Sequence, residues 1–484
     1  MRYLEGGCAV ALCCLAAAFS VASSQARAQQ YWLQDPLGVM RTSPSPEKSW
    51  QPDRELPTVP FPEISDRPDP ERALSLPELT EFALRNNPRT RQSWFSARAT
   101  AAALGVTRGD DLPDITGGYA FNRSRPVSAT SGVASPWLNR YGPSISFSYV
   151  LFDFGAKDDR REAAEYRLLN ANLAHNRTLQ DLIFQVEQAY YQLIGVEALV
   201  RVNEQALKNI QTALDAVRRR REGGLATVAD VYRTETQVAQ AQLALTRSRG
   251  DLEKARGQLA TVVGLPVNSS LRIQTLSAPP GTSEVVTSIS AYLEQMKTSR
   301  PDLLAAEAQV RSARATIAAT SKAGLPSIEV SAASTYNDYR PDRPNTIANS
   351  LIFNVRIPIF TGFKDTYSNR QAEALAAQAE AARDALYQQS TLEVWQSYYD
   401  LQTVRSSISS TETQVKSAEQ TAEATLARYK SGFGTILDLI TAQQDETNAR
   451  TQRIQAYLDW YTVLARLNLA LGASDNSTTT VKTR

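Results

Sequence analysis

Gly224-Leu-Ala-Thr-Val-Ala-Asp230 and Gly432-Phe-Gly-Thr-Ile-Leu-Asp438 are two versions of one seven-residue phrase, 208 positions apart. Each opens on a turn-forming glycine and carries Thr and Asp at the Ser/Thr-x-x-acid spacing of a helical capping box. The offset persists outward from the phrase: Phe152 falls on Phe360, Tyr190-Tyr191 on Tyr398-Tyr399, and Gly264 on Gly472. Further upstream it widens to 213, where Asn87-Pro88 and Leu112-Pro113 match Arg300-Pro301 and Leu325-Pro326. A register kept over that distance, with a single five-residue adjustment between Pro113 and Phe152, marks a tandem duplication.

Both copies show the same order of parts. A helical segment (76–111; 292–323) ends at Leu-Pro, two stretches of two-residue periodicity follow, and a very long helix then runs to the glycine turn and a further helix. No glycine or proline stands between Lys364 and Ser431, and Ala156 to Glu222 is interrupted only by Gly195. At 1.5 Å per residue such helices reach about 100 Å. Their Ala, Gln, Glu, Arg and Leu content suits helix, and a length no single globular core can bury requires lateral packing, as in coiled coils or helical tubes.

In Ser144-Ile-Ser-Phe-Ser-Tyr-Val-Leu151, the apolar Ile145, Phe147, Tyr149 and Leu151 alternate with serines. In the second copy Leu351, Phe353, Val355, Ile357 and Ile359 alternate with Ile352, Asn354, Arg356 and Pro358. Weaker alternation marks the leading strands through Ile115, Tyr119 and Phe121, and through Ile328, Val330 and Tyr336. The expected strands cover about 114–124, 141–152, 327–336 and 350–360. Roughly nine to eleven alternating residues span a bilayer when tilted. Alternation alone fits equally a soluble hairpin with one buried face.

The ends of the chain weigh on that choice. Arg2, the apolar run Cys8–Ala22 and Ala26-Arg27-Ala28 form a charged start, a hydrophobic middle and an A-x-A site, so residues 1–28 are expected to be a secretory signal peptide. Cys8, Cys13 and Cys14 all lie inside it, which leaves the expected mature chain without disulfide or thiolate site, and their positions do not suit a lipid anchor. Residues 29–74 are dense in proline and read as an extended arm. Repeat 1 then covers 75–264, a linker 265–288, repeat 2 289–472 and a tail 473–484. Export without an apolar helical span, together with the polar linkers 124–139 and 337–349, favours a membrane barrel. Four strands cannot close one, and an open edge in hydrocarbon leaves backbone groups unpaired at several kcal/mol each. The barrel must be shared between chains.

With these residues in view, the chain resembles the TolC-like outer-membrane efflux proteins over nearly its whole length after residue 70. The carrying features are the two copies, the junctions Phe152-Asp-Phe-Gly155 and Pro358-Ile-Phe-Thr-Gly362, and the paired Gly-x-x-Thr-x-x-Asp turns. The resemblance implies a mainly α fold with a small β part. It implies a homotrimer whose twelve-stranded β-barrel in outer-membrane lipid continues as a periplasmic α-helical barrel. The segment 266–287 and both termini would form a belt around the tube. It further implies a passive exit duct that serves an inner-membrane pump through a periplasmic adaptor. That adaptor would meet the tips at Gly224-Leu225 and Gly432-Phe433.

Thr227, Asp230, Thr435 and Asp438 are capping-box residues by pattern and, by resemblance, candidates for the constriction of the tube. Relatives with a second acid three residues on have Arg233 and Thr441 as counterparts here, so a double acidic ring is not expected. Glu329 and Arg356 occupy polar strand positions and are candidates for the barrel lumen. The tyrosine pairs read as packing aromatics, Arg218–Arg221 as a solvated basic stretch or an adaptor contact, and His175 carries no site. With 484 residues, a net charge of +2, 42% hydrophobic residues and a mean hydropathy of −0.33, composition points to no nucleic-acid partner. Phosphate loops, metal-ligand clusters and catalytic constellations are absent from the sequence, so neither enzyme activity, cofactor nor metal is expected. Two other readings stay open: a duct for type I protein secretion, and a periplasmic coiled-coil scaffold.

Overall fold

The computed structural model describes residues 72–125, 127, 130, 132–134, 136–269, 271–274, 288–340 and 344–473, with Glu47. The expected signal peptide, nearly all of the arm, residues 275–287 of the linker and 474–484 of the tail lie outside the described residues.

Strand β1 (Ala73–Leu74) pairs in parallel with β4 (Arg272–Ile273). Between them come helices α1 (Leu76–Asn86) and α2 (Pro88–Gly109), strands β2 (Asp114–Ser124) and β3 (Leu138–Phe152), and helices α3 (Ala156–Glu222) and α4 (Val228–Val263). The second half repeats the order with α5 (Ile289–Ser299), α6 (Pro301–Lys322), β5 (Ser327–Arg340), β6 (Thr346–Arg356), α7 (Lys364–Lys430) and α8 (Ile436–Leu471). α3 and α7 each have 67 residues. α3 pairs with α4 and α7 with α8, α8 also packs on α3, and α6 lies against both α3 and α7.

The helical segment expected at 76–111 is two helices, and so is 292–323. Pro88 and Pro301 have no N–H to donate and hold the preceding residue extended: Asn87 has φ −67°, ψ 129° and Arg300 φ −76°, ψ 117°. Each break is locked to the end of a long helical pair. Asn87 Nδ2 donates to the carbonyl oxygen of Val262 at 2.8 Å. Its counterpart Arg300 reaches the equivalent Ala470 oxygen with Nη1 at 3.3 Å. Gly472, at φ +73°, backs onto the second break so closely that a Cβ would lie 2.6 Å from Ser299 O. Arg300 is 1% exposed, and its charge is balanced by Asp302 at 2.6 Å and Glu393 at 2.8 Å.

β2, β3, β5 and β6 form one antiparallel sheet in the order β2-β3-β5-β6. Ile115 stands opposite Phe147, Phe147 opposite Ala332, Tyr149 opposite Val330, and Val330 opposite Phe353. Directly opposed residues share a face, so the apolar series of all four strands lie on one side. The other side carries Thr116, Ser146, Ser148, Glu329, Asn354 and Arg356 by the same register. β3 starts three residues earlier than the alternation suggested, and β5 runs on to Arg340. The strand expected at 350–360 is corrected to Thr346–Arg356. Arg356 pairs with Ser327, the first residue of β5, so no neighbour continues beyond it, and Pro358 has no N–H.

Turning from strand to long helix takes two consecutive left-handed residues in each repeat: Phe154 and Gly155 at φ +57° and +83°, Gly362 and Phe363 at +68° and +63°. Glycine and phenylalanine exchange places between the copies, so each junction keeps one aromatic in a conformation that costs about 1–2 kcal/mol.

Candidate functional site: the helical tips and the two-faced sheet

At the C-terminal end of each long helix the chain reverses through the same turn. Leu225 N–H donates to Arg220 O at 2.8 Å and Gly224 N–H to Arg221 O at 2.9 Å. In the second copy Phe433 N–H donates to Arg428 O at 3.0 Å and Gly432 N–H to Tyr429 O at 3.1 Å. These are Schellman pairs that need a left-handed residue, supplied by Gly224 and Gly432 at φ +72° and +87°. A Cβ at either glycine would point into open space, so backbone conformation, not crowding, requires them. The next residues are thrust outward: Leu225 is 73% and Phe433 82% exposed. Large apolar side chains so exposed at a turn suit contact with another molecule.

The helices that leave the turns start with complete capping boxes. Thr227 N–H donates to Asp230 Oδ2 at 3.0 Å while Asp230 N–H donates to Thr227 Oγ1 at 3.2 Å. Thr435 and Asp438 repeat this at 3.3 and 3.1 Å. The bonds from Thr227 hold the Asp230 carboxyl below the usual carboxylate range, and those from Thr435 do the same for Asp438. Both are therefore ionised at neutral pH.

The tips are tied together by a residue whose role the sequence did not reveal. Arg220, at the end of α3, donates from Nη1 to Tyr429 O at the end of α7, 2.7 Å away, and its guanidinium stacks 4.9 Å from the Tyr429 ring. Beneath this link Val217, Val231, Tyr429, Ile436 and Leu439 form one buried cluster. A cavity of about 690 Å³ lies beside it, lined by Arg219, Arg220, Glu419 and Tyr429 among others. Arg218 pairs with Glu235 at 2.7 Å and Arg219 donates to Asp215 O at 3.3 Å. Three of the four arginines are thus engaged within the chain. The one available signal was the basic run itself, which does not say which arginine crosses to α7.

The tyrosine pairs differ between copies. Tyr190 is buried and donates to Gln274 O at 2.8 Å, and Tyr191 stacks on Tyr461 at 4.9 Å. Tyr399 is 46% exposed. His175 Nδ1 shares a 2.7 Å hydrogen bond with Ser93 Oγ. Among the described residues there is no metal-binding group of His, Cys, Asp and Glu, and no helix long and apolar enough to cross a membrane.

The fold recurs in solved structures. The outer-membrane channel OprN superposes with a TM-score of 0.76 at 20% identity, over 87% of this chain and 98% of that one. The outer membrane protein VceC of Vibrio cholerae gives 0.74 at 20% identity, over 82% and 96%. In sequence the chain is similar to the outer membrane efflux protein BepC of Brucella suis, 24% identical over 383 residues, 78% of this chain and 80% of that one. The family model for outer membrane efflux proteins matches residues 79–265 and 292–473, one match to each repeat. The chain belongs to the outer membrane efflux protein family.

Proposed function

We propose that the chain is one of three identical subunits of a passive duct, which spans the outer membrane as a shared twelve-stranded barrel and crosses the periplasm as a helical tube. The observation that carries this is the register of the sheet. It gathers the apolar residues of four strands on one face and leaves β2 and β6 as unpaired edges, a state lipid does not tolerate until neighbouring copies close it. Glu329 and Arg356, on the opposite face, then look into the lumen. Substrates enter from an inner-membrane pump through a periplasmic adaptor that meets the tips at Leu225 and Phe433, beside the turn glycines Gly224 and Gly432. Thr227, Asp230, Thr435 and Asp438 stand at the periplasmic mouth. Selection of the cargo belongs to the pump.

Mass measurement in mild detergent and conductance in a planar bilayer test the assembly; a stable monomer that keeps its β-structure in lipid would sink it. For the adaptor contact, Phe433→Asp is cleaner than any change at Gly432, because it leaves the left-handed turn intact. Export should be lost with membrane level and oligomer unchanged. Normal export by that variant removes Phe433 from the contact.

A further inference from the structure

The apolar side of the sheet changes character along its length. Near the helices it presents Ile115, Phe147, Val330 and Phe353. Towards the hairpin ends of the strands the same side turns aromatic: Phe121 stands opposite Tyr141, and Tyr119 opposite Pro143. One row further out it turns basic. Arg123 stands opposite Asn139, and Asn139 opposite Arg340, so two arginines share a row with a neutral amide between them. Among the described strand residues on this side, the charged ones are Arg123, Arg340 and, in the adjoining row, Asp338. All three lie at the end away from the helices.

On the outer wall of a barrel a charge is costly at the bilayer midplane and cheap only near its surfaces. The arginine row therefore marks one surface of the bilayer, and the aromatic rows beneath it sit at the depth where such rings collect. With the helices in the periplasm, this surface belongs to the outer leaflet. A solvated basic rim would need no particular side of the sheet. Here the two arginines are on the lipid side and in register, about 10 Å apart across two strand spacings.

Both side chains are set out to meet a ligand. The Arg123 guanidinium lies over the Trp137 ring, 5.0 Å from its centre. Stacking occupies the face of a guanidinium and leaves its N–H edges free, and Arg123 makes no ion pair among the described residues. Arg340 Nε is 3.5 Å from Asp338 Oδ1, but the arginine side chain is 68% exposed and the acid only 19%. A molecule approaching this row thus meets the cation before the acid. Arginine donates to phosphate oxygens in pairs, which a point charge cannot do.

We infer that Arg123 and Arg340 bind the phosphate-bearing headgroup of an outer-leaflet lipid, whose acyl chains lie along Phe121, Tyr119 and the apolar series below. The inference rests on the shared-barrel reading and adds to it a ligand and the residues that hold it.

Titration of the full chain, purified in non-ionic detergent, with lipid A carrying two phosphates tests this by native mass spectrometry. Wild type should carry lipid adducts on the oligomer. Arg123→Gln combined with Arg340→Gln should weaken binding by about tenfold or more, with oligomer mass and bilayer conductance unchanged. Arg140→Gln is the control: Arg140 lies opposite Asn122 and Tyr339 at the same height but on the polar side, and its loss should leave binding intact. Arg123→Lys with Arg340→Lys, which keeps the charge and loses the paired donors, should fall between wild type and the glutamine variant; it serves as the variant if the latter does not assemble. Lipid A stripped of phosphate should bind wild type as weakly as intact lipid A binds the glutamine variant. Equal binding of the stripped lipid, or an equal loss in Arg140→Gln, overturns the site. Competition by inorganic phosphate at the same concentration overturns a lipid as its ligand. A protein that conducts yet binds no lipid A overturns this inference alone, whereas one that neither oligomerises nor conducts overturns the duct.

Discussion

Two single residues carry unusual electrostatic weight. Arg300 is a cation with almost no solvent, held by Asp302, Glu393 and the Ala470 carbonyl. In the first repeat the equivalent carbonyl, that of Val262, is reached by the neutral Asn87, so the second copy uses charge where the first uses an amide. Arg300→Met would leave Glu393 without its cation and Asp302 with only the longer Arg177 contact at 3.6 Å, a change that costs about 3–5 kcal/mol. Urea titration of helix content should show that loss, and a far smaller one for the exposed pair Lys254→Ala. Glu187 presents the opposite case. Burial alone raises its carboxyl from 4.5 to about 7, so the folded state prefers the neutral form. Its share of stability is full below about pH 4.5, declines as pH rises towards 7, and then stays level. Glu187→Gln should match the wild type at pH 4 and exceed it at pH 8, by no more than about 3 kcal/mol at 1.36 kcal/mol per unit. Parallel stability curves for the two proteins across that range would show that Glu187 is not buried in its neutral form.

Elements were legible where their cause is local. The long helices followed from stretches free of glycine and proline, and the capping boxes from a three-residue spacing. The strand faces followed from alternation, because a one-residue period error would have put Phe147 and Phe353 on opposite sides of the sheet. Elements were misjudged where their cause lies elsewhere in the chain. Alternation continues through Ile357 and Ile359, yet β6 stops at Arg356 because β5 has ended. The partners of Arg300 include Glu393, 93 residues away, and Arg220 meets Tyr429 across 209; no spacing rule reaches so far. That last link ties the end of α3 to the end of α7. Arg220→Ala removes both the hydrogen bond and the ring contact while α3 keeps its Schellman turn. The expected result is a larger open fraction in single-channel records with unchanged oligomer mass. Conductance indistinguishable from wild type would leave Arg220 as a surface clasp without influence on the mouth.

In the proposed trimer one residue of the chain becomes three, and the tip aspartates are where this matters most. In a single chain each is a cap: one carboxylate oxygen of Asp438 takes the Thr435 N–H, and the Asp438 N–H is taken by Thr435 Oγ1. The bonds that hold it also keep it ionised, so a cap and a fixed negative charge are the same group. The two functions separate through the partner residue. Thr435→Ala weakens the cap by about 1 kcal/mol and leaves the carboxylate charged. It should raise amide exchange in the first turn of α8 without moving the reversal potential in asymmetric KCl. Asp438→Asn removes the charge as well. If three such carboxylates face the pore axis, their combined field favours cations, and this variant should shift the reversal potential towards zero, with Asp230→Asn doing so at the other set of tips. A reversal potential identical in Asp438→Asn, Thr435→Ala and wild type, with exchange raised in both variants, would leave Asp438 as a helix cap directed away from the conduit.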